Sequence, residues 1–133
     1  MGRKSRILFR LLLLLYLAAV AFLCLGNFGR FPSVSRSFLG IPTDKVVHFL
    51  MFLPYPLLCF LAFDKHTEKR WQSILFVLLT FISGIALAYA SEWAQGHFTT
   101  YRVSDPKDAT ADILAISISC IIVYIVDRVK QKR

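Results

Sequence analysis

The stretch WQSILFVLLTFISGIALAYAS, residues 71–91, decides the fold, because it carries no formal charge over its whole length. About 20 apolar residues, rising about 1.5 Å each, are what an α-helix needs to cross roughly 30 Å of hydrocarbon, whereas core helices of soluble domains suit runs of about 10–14. Three more such stretches flank it. Val46 to Phe63 precedes it, Ile7 to Leu25 opens the chain with Arg10 as its only charge, and Ala109 to Val126 follows with Asp112 in its first turn. The expected fold is all-α, an integral membrane bundle of four transmembrane helices.

Four spans use most of the 133 residues, so residues 1–133 are expected to form a single domain with short connections and no internal repeat. The composition agrees: 56% hydrophobic and 18% charged residues, against about 45–50% and about 25% in soluble domains. Disordered, collagenous and disulfide-scaffold proteins are excluded. The three cysteines, Cys24, Cys59 and Cys120, all fall within spans, and an odd count without paired spacing fits buried small hydrophobes better than a disulfide framework or a zinc site.

The formal net charge of +8 would suggest nucleic acid in a soluble protein, but its distribution reads as topology. With the N-terminus in the cytoplasm, eleven of the sixteen Lys and Arg fall inside beside Asp64, Glu68 and Asp127. Five fall outside (Arg30, Arg36, Lys45, Arg102 and Lys107) beside the other five acids, so the whole excess lies on one side. Both termini and the loop from Asp64 to Arg70 are expected in the cytoplasm, with residues 27–44 and 96–107 outside. Anionic lipid then accounts for the basic flanks, and no nucleic-acid partner is needed. Ala19-Val20-Ala21 also fits a signal-peptide cleavage pattern, yet the apolar run continues through Phe22 to Leu25, as a retained helix would.

Polar residues at the outer helix ends carry the functional signal. Thr43 is expected as an N-cap, Asp44 as a first-turn acid and Lys45 as an interfacial anchor, while His48, four residues after Asp44, has no such explanation inside a membrane helix. Pro54-Tyr55-Pro56 should break that helix near mid-membrane, as a bend. Glu92 and Gln95 share a face at the end of the third helix, expected to stop at Gly96. There Glu92 opposes the helix dipole, so Arg102 is its candidate partner, with His97 converging on the same loop. Asp105 reads only as the cap of the fourth helix, with Pro106 at its first position. Asp108 and Asp112 follow four apart, and Asp112 should face the bundle interior, because an unpaired carboxylate at the hydrocarbon boundary is costly. Alternating topology brings Asp44, Lys45, His48, Glu92, Gln95, Arg102, Asp108 and Asp112 to one depth, as a ligand-binding cleft on the outer face.

The order Asp44-Lys45, His48-Phe49, Glu92-x-x-Gln95, then Arg102 followed six residues later by Asp108, resembles the VanZ-like membrane proteins, over about residues 40–120. The family pattern continues from its aspartate into Ala-Asn and then Gly three residues on. Here Ala111 is kept, Asp112 replaces the asparagine and Ala115 the glycine. The resemblance implies a protein of the bacterial cell envelope linked to glycopeptide antibiotic susceptibility, including teicoplanin resistance, and the short basic flanks of a four-span chain fit a bacterial inner membrane.

Two classes of function stay open. In the favoured one the protein is not an enzyme and takes no cofactor or metal. Its cleft binds an anionic headgroup, a cell-wall precursor or a partner envelope protein through donors on Lys45, Arg102 and His48. The alternative is an integral membrane enzyme, a hydrolase or transferase acting on a lipid-linked substrate by acid/base chemistry or with a metal held by Asp108, Asp112, Glu92 and His48. No recognisable Ser or Cys nucleophile motif and no HExxH is present. A proton path is disfavoured, because no ionisable residue is expected in the inner half of helices two to four. The sequence leaves the oligomeric state open.

Overall fold

The computed structural model describes residues 2–26, 37–63, 67–101 and 104–133. Helix α1 spans Arg3–Leu25, a short hairpin of β1 (Ser37–Phe38) and β2 (Ile41–Pro42) follows, then α2 (Thr43–Phe52), α3 (Pro54–Phe63), α4 (Arg70–Phe98) and α5 (Pro106–Gln131). With α2 and α3 counted as one interrupted span, four helical segments are long and apolar enough to cross a membrane, which makes the chain a multi-pass membrane protein. At about 1.5 Å per residue the 29 residues of α4 reach roughly 44 Å, more than the hydrocarbon needs, so α4 carries its last turns, and Glu92 with them, toward one end of the bundle.

The helices alternate in direction. Tyr101 donates its hydroxyl to the Leu25 carbonyl at one end, called here the site end, while at the other Arg10 Nε donates to the Ala62 carbonyl at 3.2 Å. Arg10 thus sits against the last carbonyls of α3 and over the Phe63 ring, where a cation is favoured by the helix dipole. The exposed sides carry Leu, Ile and aromatic residues, while Ala, Cys and Ser share the inner sides with Phe52, Tyr55, Phe60 and Ile116. Val20, Cys24, Phe52, Ala88, Ala115, Ile116 and Cys120 form one buried cluster. The three cysteines are buried and form no disulfide among the described residues. At Gly84 a Cβ would lie 3.0 Å from Ile116 Cγ2 and 3.3 Å from Tyr55 Cε1, so the missing side chain is what lets α4 approach α5 and α3.

The proline pair interrupts the second span as expected. Leu53 separates α2 from α3 while keeping helical angles, because Pro54 and Pro56 bring no N–H to the preceding turn. The carbonyls that lose an i+4 donor to the prolines are those of Leu50 and Phe52; in the same turn Tyr16 of α1 gives its hydroxyl to the Met51 carbonyl at 2.6 Å. Two boundaries differ from the sequence reading. Pro42, not Thr43, is the N-cap of α2, and Thr43 is already helical. Helix α4 passes through Gly96 to Phe98, held by Thr99 Oγ1 donating to the Gln95 carbonyl at 2.6 Å. The hairpin was not foreseen; its two-residue turn puts Leu39 at φ 50° and Gly40 at φ 79°, both left-handed, as a tight hairpin turn requires.

Candidate functional site

Three helix ends build the site. The first turn and a half of α2 supplies Asp44, Lys45 and His48, the end of α4 supplies Glu92 and Gln95, and the start of α5 supplies Asp105, Asp108 and Asp112. Spacing of three and four residues stacks each set on the helix face turned inward, and His48, Glu92, Gln95, Asp108 and Asp112 are all buried.

His48 stands at the centre with a carboxylate at each ring nitrogen. Its Nδ1 lies 3.1 and 3.3 Å from the two oxygens of Asp112, which is wholly buried, and 3.8 Å from Glu92 Oε1. On the other side Nε2 lies 3.5 Å from Asp108 Oδ2. Lys45 closes the arrangement: its ammonium donates to Asp108 Oδ1 and, at 2.7 Å, to Asp105 Oδ2, and passes 3.6 Å from Asp44 Oδ2.

Asp105 does more than cap. It accepts from the Lys107 N–H at 2.9 Å as the N-cap of α5, its own N–H donates to Glu92 Oε2 at 3.0 Å, and its carboxylate takes Lys45. The Lys45 hydrogen bond, aided by the Lys107 N–H, holds the Asp105 carboxyl below the ordinary carboxylate range. The sequence reading found the cap and missed these two further partners, which depend on where α2 and α4 end. Glu92 accepts the Asp105 N–H on Oε2; its expected pairing with Arg102 is not among the described contacts. Arg102 lies outside the described residues.

Two residues sit outside the buried core of the site. Asp44 is at the rim with its side chain 60% exposed, 3.6 Å from the Lys45 ammonium, with a carboxylate oxygen within 4.8 Å of ring and carboxylate atoms of His48 and Asp108. His97 is exposed, stacked on Trp93 at 4.4 Å between ring centroids and bonded to the Trp93 carbonyl at 2.9 Å. Its described contacts are with Trp93 of its own helix, and it is not among the buried residues around His48.

Two polar atoms inside the cluster have no hydrogen-bond partner among the described residues: Glu92 Oε1 and Gln95 Nε2. Among the described residues five carboxylates thus surround one ammonium and one imidazole, and Lys45 and His48 are both already engaged by acids. Beside them an apolar groove of about 400 Å³, lined by Leu39, Ile41, Val46, Phe49, Leu50, Ala111 and Leu114, opens at Lys45.

A second polar cluster lies at the opposite end of the bundle. Asp127, counted by the sequence reading among the solvated inner flank, is 2% exposed and accepts from Thr67 Oγ1 at 3.0 Å, Ser73 Oγ at 2.5 Å and Gln131 Nε2 at 3.1 Å. An ionisable residue is therefore buried at the far end of the last helix, contrary to expectation. Its signal was present: Asp112, Ile116, Ser119, Val123 and Asp127 follow one another at steps of three and four on the buried face of α5.

Comparison with protein-family models, with curated proteins and with solved structures returns no match to this chain.

Proposed function

We propose that this chain is a VanZ-like protein of the bacterial inner membrane whose site receives the polar head of an amphiphile entering from the surrounding leaflet. The observation that carries the reading is the junction at Lys45, where a lipid-facing apolar groove ends against a buried polar cluster. An acyl or polyprenyl chain in the groove would deliver its head to His48, Glu92 and Asp108, as a lipid or a lipid-linked cell-wall precursor would. Convergence of Asp44-Lys45, His48 and Glu92-x-x-Gln95 with Asp108, from distant parts of the chain, supports the family reading. The unequal split of Lys and Arg supports cytoplasmic termini and a site facing outward. With the buried cysteines replaced, Thr100→Cys but not Lys132→Cys should react with an impermeant thiol reagent in intact cells; the reverse pattern refutes that orientation.

The test of the amphiphile is lipid retention. Chain purified in mild detergent is expected to carry a lipid species visible by native mass spectrometry, and Ala111→Phe, which fills the groove, should release it while leaving the melting temperature near that of the parent. An unaltered lipid complement in that variant refutes the reading. A loss of glycopeptide tolerance in the same variant is the expected cellular counterpart.

A second reading, an integral membrane hydrolase or transferase, is favoured by His48 standing between Asp108 and Asp112, the arrangement that general acid/base work requires. Turnover of a lipid-linked substrate by the reconstituted protein, abolished in His48→Gln, would distinguish it from binding alone.

A further inference from the structure

We infer that His48, Glu92 and Asp112 form a binding site for one divalent transition-metal ion of the zinc type. One ligand atom from each, His48 Nδ1 and a carboxylate oxygen from Glu92 and Asp112, lie within 4.8 Å of one another. The two separations that involve the imidazole are 3.1 Å to Asp112 Oδ1 and 3.8 Å to Glu92 Oε1. A tetrahedral ion with bonds of about 2.0–2.1 Å sets its ligands roughly 3.3 Å apart, so small side-chain adjustments suffice.

The independent observation is Glu92 Oε1. It is a carboxylate oxygen on a residue 4% exposed, without a hydrogen-bond partner among the described residues, and it is turned toward the same His48 nitrogen that Asp112 faces. Buried polar atoms left without a partner are uncommon and need an account. An ion on Nδ1 supplies one for both acids.

The surroundings match what such a ligand needs. A histidine that binds metal through one nitrogen holds its other N–H against a carboxylate, and His48 Nε2 faces Asp108 Oδ2 at 3.5 Å. Asp108 is in turn fixed by Lys45, and Glu92 Oε2 by the Asp105 N–H, so two of the three ligands, His48 and Glu92, are oriented from behind. Imidazole with two carboxylates suits zinc better than magnesium or calcium. Three protein ligands leave the fourth position for an external oxygen, which would let an acid-rich site accept an anionic head. The ion site does not rest on lipid docking and is tested with the metal alone.

The full chain, stripped with chelator in mild detergent and titrated with Zn²⁺, should bind one ion per chain, with a rise in melting temperature that excess Ca²⁺ does not reproduce. Glu92→Gln and Asp112→Asn should each weaken binding about tenfold or more, and Asp108→Asn, acting through His48, should weaken it by about 10–100-fold. Asp127→Asn, at the far end, should leave the stoichiometry unchanged. Should the ligand variants fail to accumulate, X-ray absorption of the zinc-loaded parent decides: one imidazole and oxygen ligands at about 2.0–2.1 Å are expected. Absence of stoichiometric zinc in the parent overturns the inference, as does zinc binding that Glu92→Gln and Asp112→Asn leave intact, or sulfur in the absorption spectrum. If Arg102→Ala is needed before zinc binds, Glu92 belongs to an ion pair with Arg102 and the inference is equally overturned.

Discussion

Replacing Asp127 by alanine should destabilise the bundle by about 2–4 kcal/mol without touching the site end. The carboxylate accepts three hydrogen bonds, from Thr67, Ser73 and Gln131. Hydrogen bonds to a charged group contribute about 1.5–3 kcal/mol each, which sets a gross loss of about 4.5–9 kcal/mol. Against it stands the desolvation of a buried charge, several kcal/mol that the alanine no longer incurs. Gln131 Nε2 also bonds Ser73 Oγ at 2.6 Å and the Thr67 carbonyl at 2.5 Å, so two of the former donors keep partners. Asp127→Asn retains an acceptor but turns an amide N–H₂ toward two donors, and should lose about 1–2 kcal/mol. Equilibrium unfolding in mixed micelles, followed by the fluorescence of Trp71 near Ser73, measures both. A cycle with Ser73→Ala should show a coupling of about 1–2 kcal/mol. Asp127→Ala within about 0.5 kcal/mol of the parent, or additive with Ser73→Ala, refutes the claim that this cluster ties the α4 start to the α5 end.

Three further outcomes follow from the packing and the ion pairs. Gly84→Val should destabilise by about 1–3 kcal/mol, since its Cβ alone meets Ile116 at 3.0 Å, and Ile116→Ala added to it should restore part of the loss in the same unfolding assay. Lys45→Met strips buried Asp108 of its ammonium and should lower stability by about 3–5 kcal/mol, with Asp108→Asn as a partial rescue; a silent Lys45→Met contradicts the bridge. Because the folded Asp105 carboxyl lies below its unfolded value of about 3.9, its contribution is full above that pH and is lost as pH falls through the folded value. The melting temperature should therefore drop on acidification in that window, less steeply in Asp105→Asn, and an identical acid profile in that variant would contradict the Lys45 link.

The spans were legible because charge-free length has one outcome in a bilayer, and the site was largely legible because buried charge has few outcomes. Asp112 had to turn inward, and with alternating helices His48, Glu92 and Asp108 had to share its depth. What escaped depended on geometry that spacing does not carry. Asp105 is a good cap by local rules, and local rules are satisfied before its contacts with Lys45 and Glu92 are counted. Gly96 reads as a stop, yet Thr99 and the length of α4 carry the helix past it. The turn at Leu39 has one glycine where two left-handed residues are needed, so it lacks the usual hairpin signal. Asp127 was hidden by treating the end of the apolar run as the end of the buried face, although the helical period continues through it.

The hydroxyl of Tyr16 has a consequence for biogenesis. Met51 offers its carbonyl in the turn that separates α2 from α3, and its donor resides on α1, which precedes both in the chain. Chain order therefore brings the donor into the membrane before the carbonyl it serves. A circular permutant that translated α1 last would deliver the Met51 carbonyl without that donor, with water as its interim partner.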